Sequence, residues 1–274
     1  MKHENVALVI IGYDGYCDLW DHYFELMNKF WGNRPYKTYL FNNELDKKYE
    51  NVITVNCGKE AEWSKKVQKA LEVIEEEYIC LLLEDFFVYK EVNNNHLDLA
   101  INLMRDNDIN YYKLNTFSKI KGNKAFNKDY LIYLNSKNDY AISLQPAIWE
   151  KEFLKELVGQ ENYNAWIFEF KCIEFQNKNP QIVNNCVYDS RNFLNIEHGV
   201  VQGDYLPKLI RKFNEINYKF DIEKRPIMSG KKLYLYYAKR NLKFLIPKKF
   251  RKSMKRLLEK LGFEFISTKY DIKK

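Results

Sequence analysis

The sequence has few of the residues that build tight turns and paired-cysteine sites. Ten glycines and six prolines in 274 residues are few for an all-β protein, which needs many tight turns. The five cysteines include no Cys-x-x-Cys pair, which argues against a zinc knuckle or a disulfide framework. No apolar run approaches the roughly 18 residues of a membrane-spanning helix, and the apolar run after the first residues is too short for a signal peptide. We therefore expect a cytoplasmic protein, either free or attached peripherally to the inner face of the plasma membrane.

Charge is unevenly distributed along the chain. Residues 224–274 hold 17 of the 44 Lys and Arg but only 3 of the 37 Asp and Glu, which leaves 27 basic and 34 acidic residues elsewhere. The hydrophobic content of 46% and the aromatic content of 16% predict a folded protein. The sequence thus predicts an acidic body that carries a basic extension.

The hydrophobic pattern of the body predicts an α/β fold. Strand-like apolar runs lie at 6–11, 37–41, 51–56 and 78–83, and helical periodicity lies at 18–30 and 61–77. This β-α-β-β-α-β order predicts a mostly parallel sheet covered by helices. We assign residues 1–223 to this domain, with halves at about 1–115 and 116–223, and residues 224–274 to a basic, partly helical extension.

The strand that ends at Glu84 and Asp85 is the most informative feature. A continuous apolar run such as 78–83 is typical of a strand buried on both faces. Carboxylates at the carboxyl end of such a strand lie where open α/β sheets bind ligands. Two adjacent acids are costly there unless a cation offsets them, as a divalent ion bridging to a diphosphate does. The alternative is a solvated acidic turn.

These features together resemble the nucleotide-binding half of GT-A glycosyltransferases. The segments Ser-Leu-Gln-Pro-Ala-Ile-Trp at 143–149 and Asn-Ala-Trp-Ile-Phe-Glu-Phe at 164–170 resemble a pattern in bacterial sugar transferases of capsule and lipopolysaccharide synthesis. The resemblance spans roughly 6–209. It implies a GT-A-like, Rossmann-like fold and transfer of a sugar from a nucleotide-sugar, with a UDP-sugar favoured, to a polysaccharide or lipid-linked saccharide.

The resemblance places a donor site at the ends of the first strands. Gly12, Tyr13 and Asp14 stand where the family holds the base and ribose, although the same residues also suit a plain turn. Lys66 follows a strand, where a cation can meet a phosphate. Trp63 is a second donor candidate, and core packing is its alternative.

The resemblance also implies a metal site for Mn²⁺ or Mg²⁺. Family members use an Asp-x-Asp motif, whereas this chain has Glu84-Asp85-Phe86, so the second Asp is missing. We expect Asp85 to contact the metal or the ribose, with Glu84 beside it. His198 is a candidate further ligand, and a surface-loop histidine is the alternative.

The acceptor side is expected around residues 145–169. The resemblance implies that Glu169 is the general base of an inverting transfer, because a carboxylate among aromatic residues is a better base. An ordinary helix-surface acid is the alternative. Gln145, Trp149 and Trp166 are candidate acceptor contacts, since amides bind sugar hydroxyls and aromatic rings pack on sugar faces. For Trp149 the alternative is the core.

The basic extension has three interpretations. Phe250, Met254, Leu257 and Leu261 recur at helical spacing beside lysines, which favours binding to an anionic membrane. Nucleic-acid binding is less favoured, and docking of the apolar stripe on the protein itself is the third.

Two other functions of the protein stay open: a nucleotidyltransferase acting on sugar phosphates, and a non-enzymatic adaptor. The first normally has a Gly-rich basic loop after the first strand, and Gly12-Tyr13-Asp14-Gly15 carries no Lys or Arg.

Overall fold

The protein is seen in a computed structural model that describes residues 5–116, 120, 122–138 and 140–245. The side chains of residues 184 and 239–245 lie outside this description, as does the helix expected around 250–261. The strands are β1 (Val6–Ile11), β2 (Thr38–Asn42), β3 (Ile53–Asn56), β4 (Tyr78–Leu83), β5 (Phe86–Val88), β6 (Tyr111–Lys113), β7 (Leu131–Tyr133), β8 (Ala147–Glu150), β9 (Cys186–Asp189), β10 (Ile196–His198), β11 (Val200–Val201) and β12 (Asp204–Tyr205). The helices are α1 (Cys17–Trp31), α2 (Trp63–Val73), α3 (Asn94–Asp106), α4 (Lys151–Val158), α5 (Ala165–Lys178), α6 (Pro207–Asn214) and α7 (Gly230–Leu245).

One large mixed sheet organises the first part of the chain. Its strand order is β3-β2-β1-β4-β8-β6-β9-β7. The pairs β3-β2, β2-β1, β1-β4 and β6-β9 are parallel, whereas β8 is antiparallel to both of its neighbours and β7 is antiparallel to β9. The expected α/β fold, a GT-A-like, mostly parallel sheet flanked by helices, is confirmed. The antiparallel insertion of β8 was not predicted.

Burial explains why β1 and β4 are continuous apolar runs. Every residue of β1 is buried, because helices cover both faces of the sheet. Ala7, Val9 and Ile11 point to the face covered by α2, α4 and α5, where they join a core that includes Trp149 and Phe168. This packing fixes where β1 and β4 end at the edge of the sheet. It therefore also fixes the positions of residues 12–14 and 84–85, which follow these strands.

The strand directions gather several loops at one edge of the sheet. β1, β2 and β4 run parallel, so their carboxyl ends share an edge. β8 runs against β4 and begins there, with Ala147 opposite Leu81. The loop before β8 thus reaches the same edge as residues 12–14 and 84–85.

The chain divides into two compact units, Met1–Gly199 and Val200–Lys274. In the second unit, β11 and β12 form a hairpin whose turn residues, Gln202 and Gly203, both have positive φ, as such tight turns require. Lys232 pairs with Asp204 at 2.6 Å, and Arg225 donates to the carbonyl of Gly203. The start of the predicted extension therefore packs with residues 200–223.

Within the described ranges, we find no helix with the length and apolar character needed to cross a bilayer.

Candidate functional site

Glu84 lies buried where β4 ends, beside the loop that follows β1. Its side chain is 8% exposed, and its Oε1 accepts the backbone N–H of Tyr13 at 3.1 Å. Burial and the neighbouring charge of Asp85 raise the pKa of Glu84 to about 8, although Lys66 opposes this. The shift favours a neutral Glu84 at pH 7, and its contact with Tyr13 couples the two strand ends.

Asp14 organises the loop that follows β2. Its Oδ1 accepts the N–H of Asn43 at 2.9 Å and the side-chain amide of Asn42 at 3.2 Å. Its Oδ2 accepts the N–H groups of Glu44 at 2.8 Å and Leu45 at 3.0 Å. Both oxygens are thus engaged within the protein, and Asp14 holds the loop of residues 42–45 in place.

Lys66 is a buried lysine that ties the same loops together. Its side chain is 3% exposed, and Nζ donates to the carbonyl of Gly12 and to Oδ1 of Asn43, both at 2.8 Å. Burial lowers the pKa of Lys66, an effect that the charges of Glu84 and Asp14 oppose. Its ammonium also lies 5.6 Å from the centroid of the Tyr13 ring. This geometry gives Lys66 an anchoring role in place of the expected phosphate contact at the surface.

Two aromatic donor candidates have opposite environments. The ring of Tyr13 is 57% exposed at the end of β1, as a residue that stacks on a base must be. Trp63 is only 7% exposed and packs 4.6 Å from Phe168, centroid to centroid. The structure therefore favours the core alternative for Trp63 and corrects the expectation of a donor contact.

Asp85 and His198 meet although 112 positions separate them in the sequence. Antiparallel pairing of β5 with β10 sets His198 opposite Phe86, and the N–H of Gly199 donates to the carbonyl of Asp85 at 2.8 Å. This register brings Nε2 of His198 to 2.9 Å from Oδ2 of Asp85. The other oxygen, Oδ1, is buried without a hydrogen-bond partner. An unpartnered buried carboxylate oxygen is costly and suits a site completed by a ligand.

The fit of this pair to a metal ion is partial. In the part of the chain that the structure describes, no group of three or more His, Cys, Asp or Glu side chains is arranged to hold a metal. Mg²⁺ is often held by only one or two carboxylates, with water and substrate phosphates completing the shell. Asp85 and His198 fit that kind of site and not a cage built by protein alone.

Glu169 faces the loop that leads into β8. Asn164 caps α5 by accepting the N–H of Ile167 at 3.2 Å, which fixes where the helix starts and places Glu169 in its second turn. Oε1 of Glu169 accepts the N–H of Leu144 at 3.3 Å. The expected base therefore lies beside the loop that carries Gln145, which is half-buried.

The two tryptophans that were candidates for acceptor contact also differ in environment. Trp149 has no exposed surface, because its ring packs against Tyr111 at 4.4 Å, Phe168 at 5.9 Å and Phe153 at 6.2 Å. It belongs to the core, which corrects its expected place in an acceptor wall. Trp166 is 56% exposed on α5 and lies three residues before Glu169, so both occupy the same side of the helix.

Lys113 is a residue that the sequence analysis missed. It ends β6 with only 1% exposure, and burial lowers its pKa to about 7, while the charge of Glu169 opposes the shift. Its only sequence signal is a lysine inside the apolar run Tyr-Tyr-Lys-Leu at 111–114. That signal is weak, since lysines are also common at exposed strand ends.

Comparisons with known proteins give distant likenesses. No protein-family model matches the chain, and no curated protein sequence matches it. Residues 1–349 of S. aureus TarS in complex with UDP-GlcNAc align with 12% identity over 73% of this chain and 60% of that one, with a TM-score of 0.48. The 4-diphosphocytidyl-2C-methyl-D-erythritol synthase of Anaerococcus prevotii DSM 20548 aligns with 13% identity over 78% of this chain and 97% of that one, with a TM-score of 0.42. The chain spans 58% of residues 1–349 of TarS in the UDP complex. The fold assignment rests on the strand order and not on these scores.

Proposed function

We propose that this protein is a glycosyltransferase that moves a sugar from a nucleotide-sugar donor, with a UDP-sugar favoured, to a saccharide or lipid-linked saccharide. The observation that carries the proposal is the pair of Asp85 and His198 at the carboxyl edge of the sheet, with one buried carboxylate oxygen unpartnered. Open α/β sheets bind ligands at this edge. The exposed ring of Tyr13 and the carboxylate of Glu169 supply the other groups that sugar transfer requires.

On the donor side, each residue has a distinct part. The Tyr13 ring stacks on the nucleobase, and the loops that Asp14 and Lys66 fix keep that ring beside the strand ends. Asp85 and His198 would hold Mn²⁺ or Mg²⁺, which when bound offsets the charge on a departing diphosphate. Glu84 is buried beside Asp85 and holds the loop after β1 by accepting the N–H of Tyr13.

On the acceptor side, Glu169 is the base of an inverting displacement. Its carboxylate takes the proton of the acceptor hydroxyl as that oxygen bonds to the anomeric carbon. The bond from this carbon to the diphosphate breaks, and the nucleoside diphosphate leaves with the electron pair. Trp166 offers an exposed aromatic face for the acceptor sugar, three residues from the base.

A ligand screen and one variant test the proposal. Thermal shift with UDP-, GDP- and CMP-sugars and with CTP, each with and without Mn²⁺, should show stabilisation by one nucleotide-sugar. Stabilisation by CTP alone supports a nucleotidyltransferase, and none at all supports an adaptor. Glu169→Gln should abolish transfer and keep donor binding, whereas Glu156→Gln, on the exposed side of α4, should match the wild type. Near-normal turnover by Glu169→Gln rules out its role as base.

The biological setting that we propose is synthesis of a bacterial surface polysaccharide, such as capsule or lipopolysaccharide, at the inner face of the plasma membrane. The basic composition of residues 224–274 supports contact with anionic lipid, as do the exposed Tyr234 and Leu235 of α7. Sedimentation with anionic and with neutral vesicles should compare the full chain with a chain ending at Leu245. Equal sedimentation of the two chains rejects a membrane contact through residues 246–274. If the full chain binds nucleic acid and not vesicles, nucleic acid is the partner of the basic extension.

A further inference from the structure

The loop of residues 140–146, which precedes β8, is buried and held by side chains. Ala141, Ile142 and Ser143 are at most 1% exposed, so their backbone polar groups need partners within the protein. Four side chains bond to the backbone of residues 140–144. Lys113 donates to the carbonyl of Tyr140 at 2.8 Å and Tyr111 to the carbonyl of Ser143 at 3.0 Å. Gln176 accepts the N–H of Ile142 at 3.4 Å and Glu169 accepts the N–H of Leu144 at 3.3 Å.

The candidate base is one of these four anchors, and Lys113 is another. Lys113 donates to the carbonyl of Tyr140 at the start of the loop, where Tyr140 has a φ of 61°. Glu169 accepts the N–H of Leu144, four residues later. A left-handed φ is unfavourable for tyrosine, so a firm partner for its carbonyl helps to hold it. The two anchors therefore share one short, strained segment.

Their charges also interact. Lys113 lies at the end of an inner strand of the sheet, with Ala147 of β8 and Tyr188 of β9 as its neighbours in register. The ionisable groups that act on it are Glu169 and Cys172 from α5 and Cys186 from β9, and its ammonium lies 6.0 Å from the ring of Tyr111. Because the attraction is mutual, a charged Lys113 favours the ionised form of Glu169, and only that form accepts a proton.

We propose that Lys113 is a positioning residue for the acceptor base: it fixes the loop of residues 140–146, which Glu169 also holds, and its positive charge acts on the Glu169 carboxylate. This inference rests on the proposed function. Lys113 is too deeply buried to meet a substrate, so it acts only through Glu169 and the loop. We therefore expect the rate of sugar transfer, but not the affinity for the nucleotide-sugar, to depend on Lys113.

The first test is the pH profile of transfer by Lys113→Met. We expect kcat to fall about tenfold or more and the acid limb of the profile to move to higher pH, because the positive charge of Lys113 no longer favours the ionised form of Glu169. The Kd of the UDP-sugar should stay within about twofold of the wild-type value. Lys113→Arg, which keeps the charge, should restore the position of the acid limb, and Lys69→Met on α2 is the exposed-lysine control. An unchanged profile in Lys113→Met overturns the inference.

A second test needs no enzymatic activity. In protein labelled with ¹³C at the lysine ε-carbons, the Lys113 resonance is assigned by its absence in Lys113→Arg or Lys113→Met. We expect this resonance to titrate near pH 7 in the wild type and at lower pH in Glu169→Gln, which lacks the negative charge. Equal titration in both proteins overturns the inference but leaves the proposed function standing. Absence of any nucleotide-sugar binding overturns both.

Discussion

Nε2 of His198 lies 2.9 Å from Oδ2 of Asp85, and the second oxygen of that carboxylate is buried without a partner. The contact arises because a three-residue strand, β10, pairs with the strand that begins directly after Asp85. A buried acceptor atom that the protein leaves unmatched is a stability cost, and a ligand that fills it recovers that cost. A change to the Asp85 carboxylate should therefore have a large effect on ligand binding.

Asp85→Asn tests that corner. Asparagine keeps the size of the side chain and can still contact His198, so the fold should persist. We expect the stabilisation by UDP-sugar with Mn²⁺ to disappear and turnover to fall about 100-fold, because the negative charge is lost. Asp106→Asn at the exposed end of α3 is the matched control. Wild-type donor binding by Asp85→Asn contradicts the assignment.

Tyr13→Ala should weaken nucleotide binding. Stacking of a base on an aromatic ring contributes about 1–3 kcal/mol, so Kd should rise roughly tenfold or more. The ring is mostly exposed, so thermal stability without ligand should change little. Isothermal titration with UDP measures the effect, and Tyr13→Phe should retain affinity. Tyr234→Ala, at a comparably exposed position on α7, is the control. An unchanged Kd in Tyr13→Ala removes the ring from the site.

Asp14→Ala should loosen the loop after β2. It removes an acceptor from three backbone N–H groups and one amide, and hydrogen bonds to a charged group contribute about 1.5–3 kcal/mol each when buried. Because two of these bonds are exposed, we expect the free energy of unfolding to fall by about 2–4 kcal/mol in urea denaturation. Asp129→Ala, which removes an exposed ion pair with Lys124, should leave the free energy of unfolding close to the wild-type value.

Trp149 and Trp166 should give opposite results. Trp149→Ala empties a fully buried position, so the free energy of unfolding should fall by about 3–5 kcal/mol. Trp166→Ala removes a mostly exposed ring and should change it by about 0.5 kcal/mol or less, while raising the KM for the acceptor. Urea denaturation and acceptor titration separate the two effects. Equal loss of stability in both variants contradicts the distinction between core and acceptor contact.

The stability of the fold should depend on pH through Lys113. Its folded-state pKa of about 7 lies below the ordinary value of about 10.4, so between these values the unfolded chain binds more protons. Stability contributed by this group therefore rises with pH across that window. From pH 7 to pH 9 the wild type should gain about 2 kcal/mol relative to Lys113→Met. Urea denaturation of both proteins at the two pH values measures the difference, and a parallel change in both argues against a buried, titrating lysine.

Much of this architecture follows from local sequence alone. The apolar runs 6–11 and 78–83 predict two buried strands, and their abrupt ends predict that residues 12–14 and 84–85 emerge at one edge. Helical spacing predicts α1 and α2 within a few residues. These features depend on neighbours a few positions apart, which is the range over which hydrophobic periodicity carries information.

Only the tertiary structure decided which distant residues meet. The antiparallel insertion of β8 buries Trp149, whose sequence context equally suited an exposed acceptor wall. The pairing of β10 with β5 brings His198 to Asp85, and the packing of α5 on the sheet brings Glu169 within electrostatic reach of Lys113. Strand order and helix packing depend on how the apolar faces of all the helices and strands fill one core. Hydrophobic periodicity over a few residues does not contain that information.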